Sequence, residues 1–210
     1  MASMSLFDAC KEGRSDVVQA WLDRGADANS PTDTWGRTPL YIACQEGHVD
    51  AMRLLLEKGA AVDQARGDGR TPLFIACEKG HVDAARLLLE KGAEVDRAQT
   101  QGMTPLCVAC QNGHVAVATL LLDKGAAVDR AMENDGWTPL FAACRNGHVD
   151  AARLLLDNGA AVDRATNDGR TPLSIAKSKG HSSIVALLEA KAAEERRQRL
   201  AAEAQAAEAE

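Results

Sequence analysis

Two kinds of short apolar segment alternate along this chain, separated by polar breaks that carry glycine. The first kind is seen at Pro39–Glu46, where Leu40, Ala43 and Cys44 fall at i, i+3 and i+4, one face of a helix of about two turns. Thr38 occupies the predicted N-cap, and Pro39 the first helical position, where a missing N–H costs nothing and φ is already suitable. Gly47 is predicted to end the helix in a left-handed conformation. His48-Val49-Asp50 then opens a second helix with apolar positions at Val49, Met52, Leu55 and Leu56, which Gly59 stops. Ala61–Gly69 is predicted to be an extended turn leading to the next unit.

This unit repeats. Thr-Pro-Leu begins at Thr38, Thr71, Thr104, Thr138 and Thr171, and a Gly-His pair follows each time, from Gly47-His48 to Gly180-His181. Leu-Leu-Leu recurs from Leu54, Leu87, Leu120 and Leu154, and Gly-Ala closes the units at Gly59, Gly92, Gly125 and Gly159. Gly69–Ala98 differs from Gly136–Ala165 at only 7 of 30 positions, too few for chance to explain. Isolated helices shorter than about 12–15 residues are marginal in water, so each pair must bury its faces on its neighbours. The expected product is a one-dimensional all-α solenoid of helix pairs with projecting β-turns.

In these motifs the unit (Gly-x-Thr-Pro-Leu, Ala-Cys, Gly-His-Val-Asp, Leu-Leu-Leu, Gly-Ala-x-Val-Asp) resembles the ankyrin repeat over roughly residues 4–192. The resemblance implies an ankyrin-repeat α-solenoid of six units, residues 1–192. An N-terminal cap would span about 4–32, full repeats 33–65, 66–98, 99–132 and 133–165, and a C-terminal cap 166–192. Two columns depart from the family pattern. The His that usually follows Thr-Pro-Leu is replaced by Tyr41, Phe74, Cys107, Phe141 and Ser174, which removes a turn-stabilising hydrogen bond of the family. Cys44, Cys77, Cys110 and Cys144 stand where a second Ala is usual, a small-for-small exchange. Leu6–Asn29 aligns with Leu40–Asp63 without the Thr-Pro-Leu opening and carries Asp16, Gln19 and Asp23 on its second helix, as a polar end cap should. Lys177-Ser-Lys179 and Ser182-Ser183 break the pattern at the other end. Residues 193–210, rich in Ala and Glu, are expected to form an exposed helical tail, because Leu187, Leu188 and Leu200 are too few for a coiled-coil seam.

Composition narrows the function. Aromatic residues make up 3% of the chain, so the core is Leu, Ala, Val and Ile, which suits closely spaced helices. A net charge of −6 argues against a general nucleic-acid binder. The first residues have neither a basic nor an apolar signal region, and no apolar run approaches the roughly 20 residues of a membrane span. A cytoplasmic monomer with reduced thiols is expected, the nucleus remaining open. Cys10, Cys44, Cys77, Cys110 and Cys144 share one repeat position and read as small buried hydrophobes rather than a disulfide ladder. The histidine column reads as architectural, since equivalent residues one repeat apart do not converge on one ion. Phosphate-loop, zinc-protease, nucleophile-elbow and kinase motifs are lacking, so no enzyme, cofactor or metal site is expected.

What the period leaves unexplained is the informative part. In the ankyrin fold the turn tips and the exposed face of the first helix line a concave groove, and here those positions vary while the framework repeats. They hold Thr34, Trp35, Arg37, Gln45 and Glu46, then Gly67, Asp68, Arg70, Glu78 and Lys79, then Thr100, Gln101, Met103, Gln111 and Asn112. The last two sets are Asn134, Asp135, Trp137, Arg145 and Asn146, and Asn167, Asp168, Arg170, Ser178 and Lys179. Together they carry 6 basic and 5 acidic residues, a nearly neutral surface. Trp35 and Trp137 are expected to be exposed at turns, and Trp and Arg are frequent interface anchors. The expected partner-binding residues are therefore Trp35, Arg37, Arg70, Met103, Trp137, Arg145 and Arg170. They imply a module that binds a protein or peptide in its groove; the alternative is a structural scaffold or spacer with no partner of its own.

Overall fold

The computed structural model describes residues 4–208, and their helices form six consecutive pairs with no strand among the described residues. The pairs are α1 (Leu6–Lys11) with α2 (Ser15–Asp23), α3 (Pro39–Glu46) with α4 (Val49–Glu57), and α5 (Pro72–Lys79) with α6 (Val82–Glu90). They continue as α7 (Pro105–Gln111) with α8 (Val115–Asp123), α9 (Pro139–Asn146) with α10 (Val149–Asp157), and α11 (Pro172–Lys179) with α12 (Ser182–Glu208). The expected all-α solenoid of six units is the fold.

Local chemistry sets the helix limits. Thr38, Thr71, Thr104 and Thr138 are buried N-caps, each hydroxyl accepting from the backbone N–H three residues on, at 3.1–3.2 Å. Gly47 closes α3 at φ 79°, a conformation costly for any residue with a Cβ. The first helices are more deeply buried than a single apolar face requires: in α3 the whole run from Pro39 to Cys44 is buried. A first helix lies between the first helices of both neighbours and against its own second helix, so little of its circumference meets water. Second helices keep the expected amphipathic form, with Ala51, Met52 and Leu55 buried and Arg53 and Glu57 exposed.

First helices contact one another more extensively than second helices do. The small pairs Ala43-Cys44, Ala76-Cys77, Ala109-Cys110 and Ala143-Cys144, all fully buried, permit that close approach. The first helices therefore pack more closely on one side of the stack, which the turns adjoin and which corresponds to the concave side expected from the resemblance. All six cysteines are free and buried. Burial pushes the thiols of Cys10, Cys107 and Cys144 up to about 12, and raises those of Cys44, Cys77 and Cys110 as well.

Two kinds of polar clasp tie neighbouring units together, each found at four of the five junctions. His48, His81, His114 and His181 place Nε2 3.0–3.2 Å from the carbonyl oxygens of Lys11, Gln45, Glu78 and Arg145, at the end of the preceding first helix. A carbonyl can only accept, so Nε2 carries the proton, and the ring satisfies a helix-terminal carbonyl that has no partner within its own helix. The same rings lie against the helix-ending glycines of the unit before: a Cβ on Gly80 would sit 2.7 Å from Nδ1 of His114. On the other flank Asp63, Asp96 and Asp129 accept from the backbone N–H groups of Glu94, Ala127 and Ala161 in the next unit, and Asn29 does so from Ala61.

At the C-terminal end, residues up to Glu208 continue α12 without a break, so the tail is a helical extension of the cap helix itself. Ile184 and Leu188 are buried in the cap, whereas Leu200 is 60% exposed, as a tail without an apolar seam requires.

Two outcomes follow. Gly80→Ala should cost about 1–3 kcal/mol in urea unfolding, from a left-handed φ and the clash with His114. Adding His114→Ala should cost less than the sum of the two single changes, because the clash is then gone. The second concerns alkaline pH. The fold favours the neutral thiol, so thiol stability is complete below about 9, where the unfolded chain begins to ionise, and is lost as pH rises toward about 12. Each thiol should cost about 1–2 kcal/mol at pH 10, and Cys107→Ala should flatten the alkaline limb of a melting-temperature profile.

Candidate interaction surface

Each turn is a short hairpin closed by a backbone hydrogen bond from Thr32 to Arg37, Arg66 to Arg70, Gln99 to Met103, Met132 to Trp137 and Thr166 to Arg170, at 2.7–3.0 Å. The hairpins are also linked to each other, since the N–H groups of Thr100 and Asn167 donate to the carbonyls of Asp68 and Asp135. Side chains complete the turns. Asp33 accepts from the backbone N–H groups of Trp35 and Arg37 and pairs with the Arg37 guanidinium at 2.5 Å. Burial opposes the charge of Asp33, but these donors outweigh it and hold its pKa below the usual carboxylate range. Asp68 does the same for Arg66 and Arg70. In the last hairpin Arg170 and Thr166 hold Asp168 at a pKa of about 2. The turn hydrogen bond implied to be missing, where Tyr41, Phe74 and Phe141 replace His, is thus made good by carboxylate-centred turns. The buried rings at those positions serve as a floor: Arg70 lies 5.4 Å from the Phe74 ring and Arg170 5.9 Å from that of Phe141.

Across the concave side, the residue before each capping Thr faces the residue seven positions after that Thr. In the first full repeat Arg37 donates to Gln45 at 3.3 Å, and in the second Arg70 pairs with Glu78 at 2.9 Å. In the third the pair is Met103 and Gln111. The fourth inverts the order, the aromatic residue on the hairpin and the cation on the helix, with the Arg145 guanidinium 4.8 Å from the Trp137 ring. Arg170 stands opposite Ser178 in the fifth and is paired within its own hairpin to Asp168.

The structure thus groups the expected binding residues unevenly. Trp35 is 63% exposed, its ring 5.1 Å from the Arg37 guanidinium, which also lies 5.4 Å from Phe7. Met103, Trp137 and Arg145 form a second group, with Met103 and Trp137 packed against buried Cys107, Met132 and Ala142. Arg70 and Arg170 stand apart, each in its own ion pair. One expectation needs correction: Trp137 is half-buried rather than exposed, because its ring packs on Phe141 with centroids 5.2 Å apart. Sequence reasoning missed Asp33, which organises the first hairpin, and Phe7, which supports Arg37. Phe7 aligns with Tyr41 and Phe74 in the ring column, and that alignment could have found it.

The hollows of the molecule are open grooves. One of about 630 Å³ between two hairpins is lined by Glu94, Asp96, Arg97, Arg130 and Glu133, and a larger one of about 720 Å³ lies between the second helix α10 and the tail of α12, away from the hairpins. Among the described residues no group of three or more His, Cys, Asp or Glu side chains is placed to hold a metal ion, and no helix is long and apolar enough to cross a membrane.

With this geometry in view, known proteins give it a family. A family model for ankyrin repeats, built as three copies, matches residues 6–99, 66–131, 96–166 and 128–199 in overlapping windows. Among solved structures, the ankyrin repeat domain of human ASB11 is similar, with 31% sequence identity and a TM-score of 0.81. That likeness covers 89% of this chain and 82% of that one. Curated protein sequences give no match. The chain belongs to the ankyrin-repeat family. Ankyrin repeats are generally protein-interaction modules, typically without enzymatic activity.

Proposed function

We propose that this chain is a protein-recognition module that holds a protein or peptide partner against its concave side, where the hairpins meet the exposed faces of the first helices. The observation that carries this reading is Trp35: a large apolar ring, 63% exposed and held in place by a hairpin whose own hydrogen bonds are satisfied. Leaving such a ring in water forgoes its burial, and covering it with a partner recovers that stabilisation. The first helices and hairpins are fixed before any partner arrives, so recognition loses little ordering entropy. Arg37, Arg70 and Arg170 are committed to Asp33, Asp68, Glu78 and Asp168, and they shape the surface more than they supply free charge.

Affinity capture with the full chain and with Trp35→Ala tests the reading. The variant should weaken a captured partner by about 2 kcal/mol or more with melting unchanged. Trp137→Ala should weaken it too but also lower the melting temperature, since that ring packs on Phe141. A chain that serves only as a scaffold or spacer would yield no captured protein that either substitution releases.

A further inference from the structure

The concave surface is close to neutral in sum, yet its charges are not spread evenly. Arg37, Arg66, Arg70 and Arg170 each hold a carboxylate. Arg145 holds none among the described residues. Its guanidinium carbon lies over the Trp137 ring at 4.8 Å, while its backbone carbonyl is engaged by His181. A guanidinium has five N–H donors, and a cation–π contact leaves donors free for a carboxylate. In the preceding repeat the corresponding pair is Met103 and Gln111, neither of them charged, and Met103 packs toward Cys107 and Met132. Cys107 stands where neighbouring repeats carry Tyr41, Phe74 and Phe141, so the third repeat offers a small, polarisable apolar floor in place of a ring. One unpaired guanidinium thus adjoins one uncharged apolar step, in the middle of a surface whose other arginines are neutralised.

Resting on the reading of the concave side as the binding face, we infer that the third and fourth repeats form a recognition site for an extended segment of a partner protein carrying an Asp or Glu side chain beside a large apolar residue. The carboxylate takes the free edge of Arg145 in a bidentate pair, and the apolar side chain covers Met103 and the exposed part of Trp137. Neighbouring repeats stack about 8–10 Å apart, and an extended chain in the polyproline II conformation advances about 3.1 Å per residue with three residues per turn, so two determinants on one face of it lie about three residues apart. The inverted order of the fourth repeat creates this site: a guanidinium on the hairpin would lie among hairpin carboxylates, whereas on the helix it lies beyond them.

A random twelve-residue peptide library, displayed away from its chain ends, tests this with the full chain as bait. Peptides enriched on the wild-type chain should carry Asp or Glu about three residues from Phe, Leu, Met or Trp. Enriched peptides made synthetically should bind Arg145→Gln about ten- to a hundredfold more weakly, as for loss of a charge-assisted hydrogen bond. Arg145→Glu should shift the selected charge to Lys or Arg. Arg53→Gln, at an exposed arginine of the second helix α4 away from the hairpins, should leave affinity unchanged, and unchanged melting of the Arg145 variants shows that the stack persists. Enriched peptides without a carboxylate, or with affinity indifferent to Arg145→Gln, overturn the site but leave the concave-face reading intact. Failure of the wild-type chain to enrich any peptide also overturns it, and the Trp35→Ala capture experiment then decides the broader reading by itself.

Discussion

A helix of six to nine residues has no stable existence in water, and almost every feature of this chain follows from that constraint. The first helices survive by being surrounded, with neighbours on two sides and a second helix on a third. Close surroundings require small side chains, and the Ala-Cys column supplies them. They also require that the polar ends of each short helix find partners without water. The threonine caps provide these at one end, and the histidines of the following unit do so at the other. Glycine then serves twice in one position, turning the chain at a positive φ and leaving room for the incoming imidazole. A substitution at one such point therefore acts on two repeats.

The concave side obeys a different rule. Most of its side chains, Trp137 excepted, do little to hold the stack, but they are ordered all the same, because hairpin carboxylates bind the backbone and the arginines together. Those ion pairs are partly exposed, so each contributes modestly to stability. Their larger consequence is geometric: a rigid, nearly neutral surface on which the exposed indole of Trp35 and the unpaired guanidinium of Arg145 stand out. The stack supplies regularity, and the departures from regularity supply identity.

Most of the fold was legible in the sequence because a short-range signal recurs with a fixed period. Thr-Pro-Leu gave the start of α3, Gly47 its end and Gly59 the end of α4. The architectural role of the histidines was readable from their column, but the carbonyl each one binds lies more than thirty residues away and leaves no local trace. The surface was less legible for a physical reason. Alignment identifies which positions face the groove but not which neighbours a side chain finds there. Trp137 reads as an exposed turn residue until Phe141, one helical turn along, is seen to receive it. Arg37, Arg70 and Arg145 look alike as letters, and only their partners, Asp33, Glu78 and Trp137, distinguish two closed ion pairs from an open cation. The tail was legible as a helical extension without a seam, because Ala and Glu favour helix and Leu200 alone offers no stripe.

The central claim is that the stack is framework and that recognition belongs to the concave side. Hydrogen exchange of the chain, free and in complex with a captured partner, tests it most directly. Slowed exchange should be confined to the hairpins, such as residues 32–37 and 132–137, and to the first helices next to them. Slowed exchange concentrated instead on the second helices α4, α6, α8 and α10, with the hairpins unchanged, would contradict the account.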